Sequence, residues 1–103
     1  MPTVVATIWP KAEHRQAVVD VFRAVVPKVH EEDGCELYAL HEADDRLVLV
    51  EQWTSGDALQ AHLDGPTIVE LNAGLNGRTE RQADVVIMSP VPLGDPGKGV
   101  VVG

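Results

Sequence analysis

Five side chains near the middle of the chain have types that could bind or deprotonate a small oxygenated molecule: His62, Glu51, Trp53, Tyr38 and Asn72. His62 comes first because an imidazole titrates near neutral pH and can accept or donate a proton. Its spacing of four and three residues from Ala58 and Leu59 places it on the packed side of a short predicted helix. The alternative is a buried histidine whose ring only satisfies a backbone group.

Glu51 and Trp53 share one face of a predicted strand, since alternate residues of a strand point the same way. A carboxylate that faces apolar surroundings must have a raised pKa or a charged partner. Glu51 is therefore predicted either as a proton acceptor or as the partner of Arg78 or Arg81 in a structural ion pair. Trp53 could form a wall on which a planar ring stacks, or it could be an ordinary core residue.

Tyr38 and Asn72 offer a phenol on another strand and an amide on a later helix. Each group could hold an oxygen of a bound ring, because both can donate and accept hydrogen bonds. Each could equally be a hydrogen-bonded structural residue.

Several classes of function are disfavoured by composition and motifs. No two histidines have metal-binding helical spacing, no Cys-x-x-Cys pair occurs, and no Gly-x-Gly-x-x-Gly follows a strand, so we expect no metal and no cofactor. Sixteen acidic against eight basic residues give a net charge of −8, which argues against binding to nucleic acid or to anionic membranes.

The cellular compartment is predicted from what the sequence lacks. There is a single cysteine, which suits a reducing compartment. The N-terminus has no signal-peptide pattern, and no apolar run approaches the ~20 residues that span a bilayer. We therefore expect a cytoplasmic protein.

The elements that position these side chains follow from hydrophobic periodicity. Strands are predicted over residues 3–9, 35–41, 46–53 and 83–88, and helices over 11–33, 57–64 and 67–75. Pro27 predicts a kink or break of the first helix near Val26, and Gly34 predicts a left-handed residue after that helix. The order β-α-β-β-α-β predicts a ferredoxin-like α+β fold, with helices on one face of an antiparallel sheet.

The third predicted strand has large apolar residues on both faces, with Leu47 and Leu49 on one and Val48 and Val50 on the other. The helices can cover only one face of the sheet. The simplest cover for the second face is another copy of the chain, so we expect a homodimer.

Residues 1–90 are predicted to form one domain, followed by an arm of residues 91–103 that is rich in proline and glycine. The arm ends in Val100, Val101 and Val102, which are strand-forming residues. This segment could add a strand to a sheet edge, its own or the partner's, or it could be a frayed terminus.

Three short strings carry a resemblance to a known family: Gly34 to Tyr38, Val50 to Trp53, and Ala61 to Leu63. In their spacing they resemble the antibiotic biosynthesis monooxygenase (ABM) family over roughly residues 3–88. The resemblance implies a dimeric α+β barrel, and the family includes cofactor-free quinol and anthrone monooxygenases. It also implies that a histidine at the position of His62 often faces the pocket.

The resemblance therefore predicts a cofactor-independent monooxygenase that oxidises a small aromatic hydroquinone or anthrone with dioxygen. His62, with Glu51, would assist removal of the proton, and Trp53, Tyr38 and Asn72 would bind the ring. Two alternatives remain open: an isomerase of a small oxygenated metabolite, and a non-catalytic dimeric module that binds a hydrophobic metabolite.

Overall fold

The computed structural model describes residues 1–101, and the order of its elements confirms the predicted ferredoxin-like fold. The strands are β1 (Thr3–Ile8), β2 (Cys35–Glu42), β3 (Leu47–Trp53) and β4 (Asp84–Met88). The helices are α1 (Arg15–His30), α2 (Gly56–Leu63) and α3 (Pro66–Leu75), with a 3-10 turn at Ala12–His14. Within the described residues, no helix is both long enough and apolar enough to cross a membrane.

The four strands form one antiparallel sheet in the order β2-β3-β1-β4. Its register aligns Tyr38, Glu51, Val4 and Ile87 in one row across all four strands. Because side chains alternate between the faces of a sheet, this row lies on the same side throughout. Two of the candidate side chains thus become neighbours through strand pairing alone.

Helix α1 runs from Arg15 to His30 with Pro27 inside it. Of the two outcomes predicted near Val26, the break is therefore wrong, and the kink stays a prediction. A proline in a helix removes one backbone hydrogen bond. On either side of it, Val25 and Val29 are fully buried in the core. Burial of such side chains contributes more than one lost hydrogen bond costs, so packing holds the last turn in helical form.

The opposite face of the sheet is built differently. Val5, Val50 and Val86 lie side by side there, on the adjacent strands β1, β3 and β4. None of the helices in residues 1–101 belongs to this face, since the helix side carries the row of Tyr38 and Glu51. The apolar residues on the second face, from which a homodimer was expected, are therefore present and not covered by a helix of the described chain.

The C-terminal arm forms no strand within the residues that the structure describes. It turns at Asp95, whose side-chain carboxylate accepts hydrogen bonds from the backbone N–H groups of Gly97 and Lys98. Val100 and Val101 lie beside Thr3 and Met88 without pairing as a strand. Val102 lies outside the described residues, and addition of this segment to a partner's sheet stays a prediction.

The loop between α1 and β2 depends on Gly34, whose φ of 81° confirms the predicted left-handed residue. A Cβ at this position would lie 2.5 Å from the Cβ of Ala58 and 2.7 Å from Oγ1 of Thr54. The Gly34 carbonyl also accepts a hydrogen bond from the Thr54 backbone N–H at 2.9 Å. The absence of a side chain therefore lets this loop pack against the start of α2.

Gly34→Ala is expected to lower the free energy of unfolding by about 2–4 kcal/mol, from left-handed strain and overpacking together. Gly77→Ala is the matched control, because Gly77 has a φ of 77° but nothing within 4 Å of the added Cβ. It should cost only the strain, about 1–2 kcal/mol. Urea unfolding of both variants measures the difference, and equal losses would contradict a close approach at Gly34.

Candidate functional site

A cavity of about 120 Å³ lies between the sheet and helices α2 and α3. Aliphatic side chains form most of its wall, including Val4, Leu49 and Leu71. Four polar side chains reach it, and all were predicted from the sequence: Tyr38, Glu51, His62 and Asn72. A mostly apolar cavity with a few converging polar groups is the usual form of a small-molecule site.

A wider groove of about 580 Å³ runs along the free edge of β2. It is more open to solvent, and of the five predicted side chains only Tyr38 lines it. The enclosed cavity is therefore the better candidate site.

His62 is held by contacts on three sides of its ring. The ring stacks on the indole of Trp53, with centroids 4.6 Å apart and planes at 29°. The edge of Tyr38 approaches at 5.6 Å between centroids. Nδ1 lies 2.7 Å from Oε1 of Glu32, and the residue as a whole is only 3% exposed.

The other ring nitrogen of His62, Nε2, has no hydrogen-bond partner within residues 1–101. In the same residues, no side-chain nitrogen or oxygen that is sealed from solvent lacks a partner. Nε2 must therefore border open space, and the open space that His62 lines is the cavity. This nitrogen is placed to exchange a proton with a bound molecule.

Helix α2 sets the position of His62 along the cavity. Its first turn is capped by Ser55, whose hydroxyl oxygen accepts a hydrogen bond from the backbone N–H of Ala58 at 3.1 Å. This cap satisfies one of the free donors that every helix start leaves. Leu59, one turn before the histidine, is buried in the core and fixes the inward face of the helix.

Glu32 is the site residue that the sequence did not indicate. It lies in the loop after α1, and its two carboxylate oxygens bind two different helices. Oε1 contacts Nδ1 of His62, and Oε2 accepts a hydrogen bond from the Thr67 hydroxyl on α3 at 2.6 Å. In the sequence, Glu32 belongs to a run of three acidic residues at the end of a helix, and such a run is typical of a solvated surface. Only the need of a buried histidine for a partner could have suggested it.

Glu51 does not pair with an arginine, so the ion pair considered for it is wrong. Within residues 1–101, Arg78 donates to the carbonyl of Gly74, and Arg81 lies over the ring of Trp9 at 3.5 Å. The partner of Glu51 is instead Trp53, whose indole N–H donates to Oε1 at 3.0 Å.

The electrostatic environment of Glu51 favours its neutral form. Burial is the main cause that raises the pKa of this carboxyl above its ordinary value, and the negative charge of Glu32 adds to it. The hydrogen bond from Trp53 and the proximity of His62 act in the opposite direction without cancelling the effect. Glu51 is therefore a weaker acid than an exposed glutamate.

Tyr38 is buried, and its hydroxyl has no hydrogen-bond partner in the described part of the chain. Burial raises the pKa of this phenol strongly, and the carboxylates of Glu51 and Glu32 raise it further. The group therefore stays protonated, and Tyr38, which lines the cavity, can act there as a hydrogen-bond donor. Asn72 lies at an exposed position of α3, where it contributes to the rim.

Trp53 does not line the cavity, although it was predicted as a possible wall for a bound ring. It is fully buried directly behind His62, where it stacks on the imidazole and donates to Glu51. Its observed contacts support two side chains of the site rather than a ligand. Among residues 1–101, no three histidine, cysteine or acidic side chains are grouped so that they could hold a metal ion.

Comparison with known proteins places this chain in a family. The sequence matches the family described as antibiotic biosynthesis monooxygenase over residues 1–73, which include all five predicted side chains. It is 38% identical over 90 residues to the "Probable quinol monooxygenase YgiN" of Escherichia coli (strain K12), covering 75% of this chain and 86% of that protein. It is 30% identical over 90 residues to Rv0793 of Mycobacterium tuberculosis, covering 85% of this chain and 89% of that protein.

Solved structures agree with these sequence matches. The structure of Rv0793 superposes with a TM-score of 0.84 at 27% identity, over 91% of this chain and 98% of that chain. A crystal structure described as an antibiotic biosynthesis monooxygenase has a TM-score of 0.83 at 27% identity, over 89% of this chain and 100% of that chain.

We expect the free energy of unfolding of Glu51→Gln to increase relative to that of the wild type as the pH rises from about 4 to 8. A raised pKa means that the folded state binds this proton more tightly than the unfolded state does. Ionisation at higher pH therefore lowers the stability of the wild type. Glutamine cannot ionise, and its amide oxygen still accepts from Trp53.

Unfolding by urea across this pH range measures the effect. Glu36→Gln, which removes an exposed carboxylate of β2, controls for the loss of one negative charge. A stability difference between Glu51→Gln and the wild type that does not change with pH would contradict the raised pKa.

Proposed function

The chain belongs to the antibiotic biosynthesis monooxygenase family, and from that premise we propose that it oxidises a single-ring hydroquinone with dioxygen, without a cofactor. The observation that carries the proposal is the unpartnered Nε2 of His62, which borders an apolar cavity. A relative 38% identical to this chain is named as a quinol monooxygenase.

The proposed reaction converts hydroquinone and dioxygen into hydroxybenzoquinone and water. Nε2 of His62 takes the proton of a ring hydroxyl, so the O–H bond breaks and an N–H bond forms. The resulting phenolate gives one electron to dioxygen, and the two radicals join through a new C–O bond. Nε2 of His62 returns its proton to the outer oxygen of the resulting peroxide. Cleavage of the O–O bond, together with loss of the hydrogen of that ring carbon as a proton, then leaves one oxygen on the ring and releases the other, with both protons, as water. The substrate supplies all four electrons, so no separate reductant is needed.

The remaining polar groups fit supporting roles in this reaction. The phenol of Tyr38 stays protonated and can donate a hydrogen bond to a ring oxygen. Glu51 has a raised pKa and lines the same wall, so it can pass a proton to or from the oxygen intermediates. Asn72 at the rim can hold the second ring oxygen. The apolar wall keeps water away from the reacting phenolate.

Cavity size favours a hydroquinone over an anthrone. An apolar cavity of about 150 Å³ in another protein binds benzene, and the cavity here measures about 120 Å³. A single ring would fill this smaller space, with its second oxygen toward the open side at Val85 and Ile87, which are 55% and 57% exposed. Three fused rings do not fit without movement of the walls.

We also propose that the active form is a homodimer, as the sequence predicts. Val5, Val50 and Val86 form an apolar row across the second sheet face, and Val86 is exposed. A second copy that packs on this face through a two-fold axis would bury it. Each cavity lies on the helix side of its own sheet and would remain accessible.

His62→Ala is expected to lower the rate of oxygen uptake with a single-ring hydroquinone by roughly 10²-fold or more, because it removes the general base. The measurement uses an oxygen electrode with metal-stripped protein, and protein-free autoxidation is subtracted. His14→Ala is the matched control, since His14 lies in the 3-10 turn before α1 and does not line the cavity.

Equal uptake by the two variants would contradict a catalytic role for His62. Saturable binding of hydroquinones with no uptake above autoxidation would support the non-catalytic binding module instead. Conversion that needs no oxygen would support the isomerase.

Substrate size provides a separate prediction. The wild type should have a higher kcat/KM for a single-ring hydroquinone than for a three-ring anthrone, and Leu71→Ala should narrow this gap. Leu71 lines the cavity, so its truncation opens space on the α3 side. Oxygen uptake with both substrates measures the ratio, and an anthrone preferred by the wild type would contradict the size argument.

A further inference from the structure

We propose that Glu32 is a positioning residue that keeps the proton of His62 on Nδ1 and thereby leaves Nε2 free to act as the base. The inference rests on the proposed function for its catalytic consequence, but not for the tautomer itself. The Glu32 carboxylate lies outside the lining of the cavity and touches His62 only at the nitrogen that faces away from it.

The protonation pattern follows from the chemistry of the two groups. A neutral imidazole carries one proton, and an ionised carboxylate can only accept hydrogen bonds. Oε1 of Glu32 lies 2.7 Å from Nδ1, so the proton of this hydrogen bond belongs to Nδ1. The Thr67 hydroxyl donates to the other oxygen, which is the arrangement expected of an ionised carboxylate. Nε2 then carries a lone pair.

The surrounding residues disfavour the opposite orientation of the imidazole ring. A half-turn of the imidazole would replace Nδ1 by a carbon next to Glu32 and leave the carboxylate oxygen without its partner. The stack on Trp53 and the edge contact with Tyr38 confine the plane of the ring. His62 therefore has one orientation in which all of its buried polar contacts are satisfied.

The backbone around Glu32 is also fixed. Its N–H donates to the carbonyl of Val29 at 2.9 Å, and the left-handed Gly34 lets the same loop reach the residues before α2. The carboxylate thus bridges α2 and α3 from a loop that is itself held in place. Its side chain is 24% exposed, so the negative charge keeps some contact with water.

Without Glu32, the proton of the neutral His62 ring should move from Nδ1 to Nε2. The neutral histidine side chain in water prefers the tautomer with the proton on Nε2. That tautomer presents a donor to the cavity, and it cannot accept the proton of a hydroquinone. A change at a residue that does not touch the substrate would therefore abolish the base while the cavity keeps its shape.

The test reads the tautomer directly by ¹⁵N NMR of the histidine ring nitrogens, with the His62 signals identified by their loss in His62→Ala. In the unliganded wild type at neutral pH, Nδ1 should be protonated and Nε2 should not. This measurement needs no Glu32 variant, and an Nε2-protonated ring in the wild type would overturn the proposal.

Glu32→Ala should shift His62 toward the Nε2-protonated tautomer and lower kcat by roughly 10²-fold, as expected for loss of a general base. KM should change much less, because the cavity wall is untouched. Glu31→Ala is the matched control: it removes an exposed carboxylate one residue earlier and should leave both the tautomer and kcat unchanged.

A Glu32→Ala variant that keeps both the wild-type tautomer and the wild-type kcat would overturn the proposal. Since the tautomer is read without substrate, failure of the proposed function is distinguishable. A tautomer shift in Glu32→Ala, with no oxygen uptake by any form of the protein, would overturn the hydroquinone reaction and support control of the ring by Glu32.

Discussion

A histidine ring buried in an apolar wall has two nitrogens, and the way each is satisfied decides what the ring can do. In this protein Nδ1 of His62 lies 2.7 Å from a carboxylate oxygen of Glu32, and Nε2 faces the cavity. The first contact stabilises a buried polar group that would otherwise cost about 1–3 kcal/mol. The second, in the tautomer that we propose, gives the cavity a proton acceptor. The nearby indole, phenol and second carboxyl are arranged around that ring.

The sheet allows this site to exist in a chain of 103 residues. One face, with Tyr38, Glu51 and Val4 in register, forms the floor of the cavity under α2 and α3. The other face carries the apolar row of Val5, Val50 and Val86 and none of the side chains that line the cavity, which leaves it available for the proposed partner. Because side chains alternate between the faces of one pleated sheet, the candidate site and the proposed dimer face lie on opposite sides of it.

The sequence predicted the parts of the structure that depend on local pattern. Alternation along β3 placed Glu51 on the cavity face, and helical spacing placed His62 on the inward side of α2. The break at Pro27 was wrong because burial of Val25 and Val29 outweighs a local propensity, and a sequence window does not contain the core.

Contacts between residues far apart in the chain leave no mark on the local sequence pattern. Glu32 and His62 are separated by 30 positions and meet only through the packing of three elements. Neither has a neighbour in sequence that suggests the other. The ion pair predicted between Glu51 and an arginine was wrong for the same reason, because no local pattern indicates that Arg81 stacks on Trp9. Identification of Glu32 required the fold.

The most direct test is a crystal structure of the protein with resorcinol, a single-ring dihydroxybenzene that cannot form a stable quinone. We predict that resorcinol occupies the cavity, with one hydroxyl within hydrogen-bond distance of Nε2 of His62 and with the Glu32 contact to Nδ1 intact. Resorcinol bound elsewhere on the chain, or in the cavity with Nε2 of His62 left without a contact, would contradict the assignment of this nitrogen as the base.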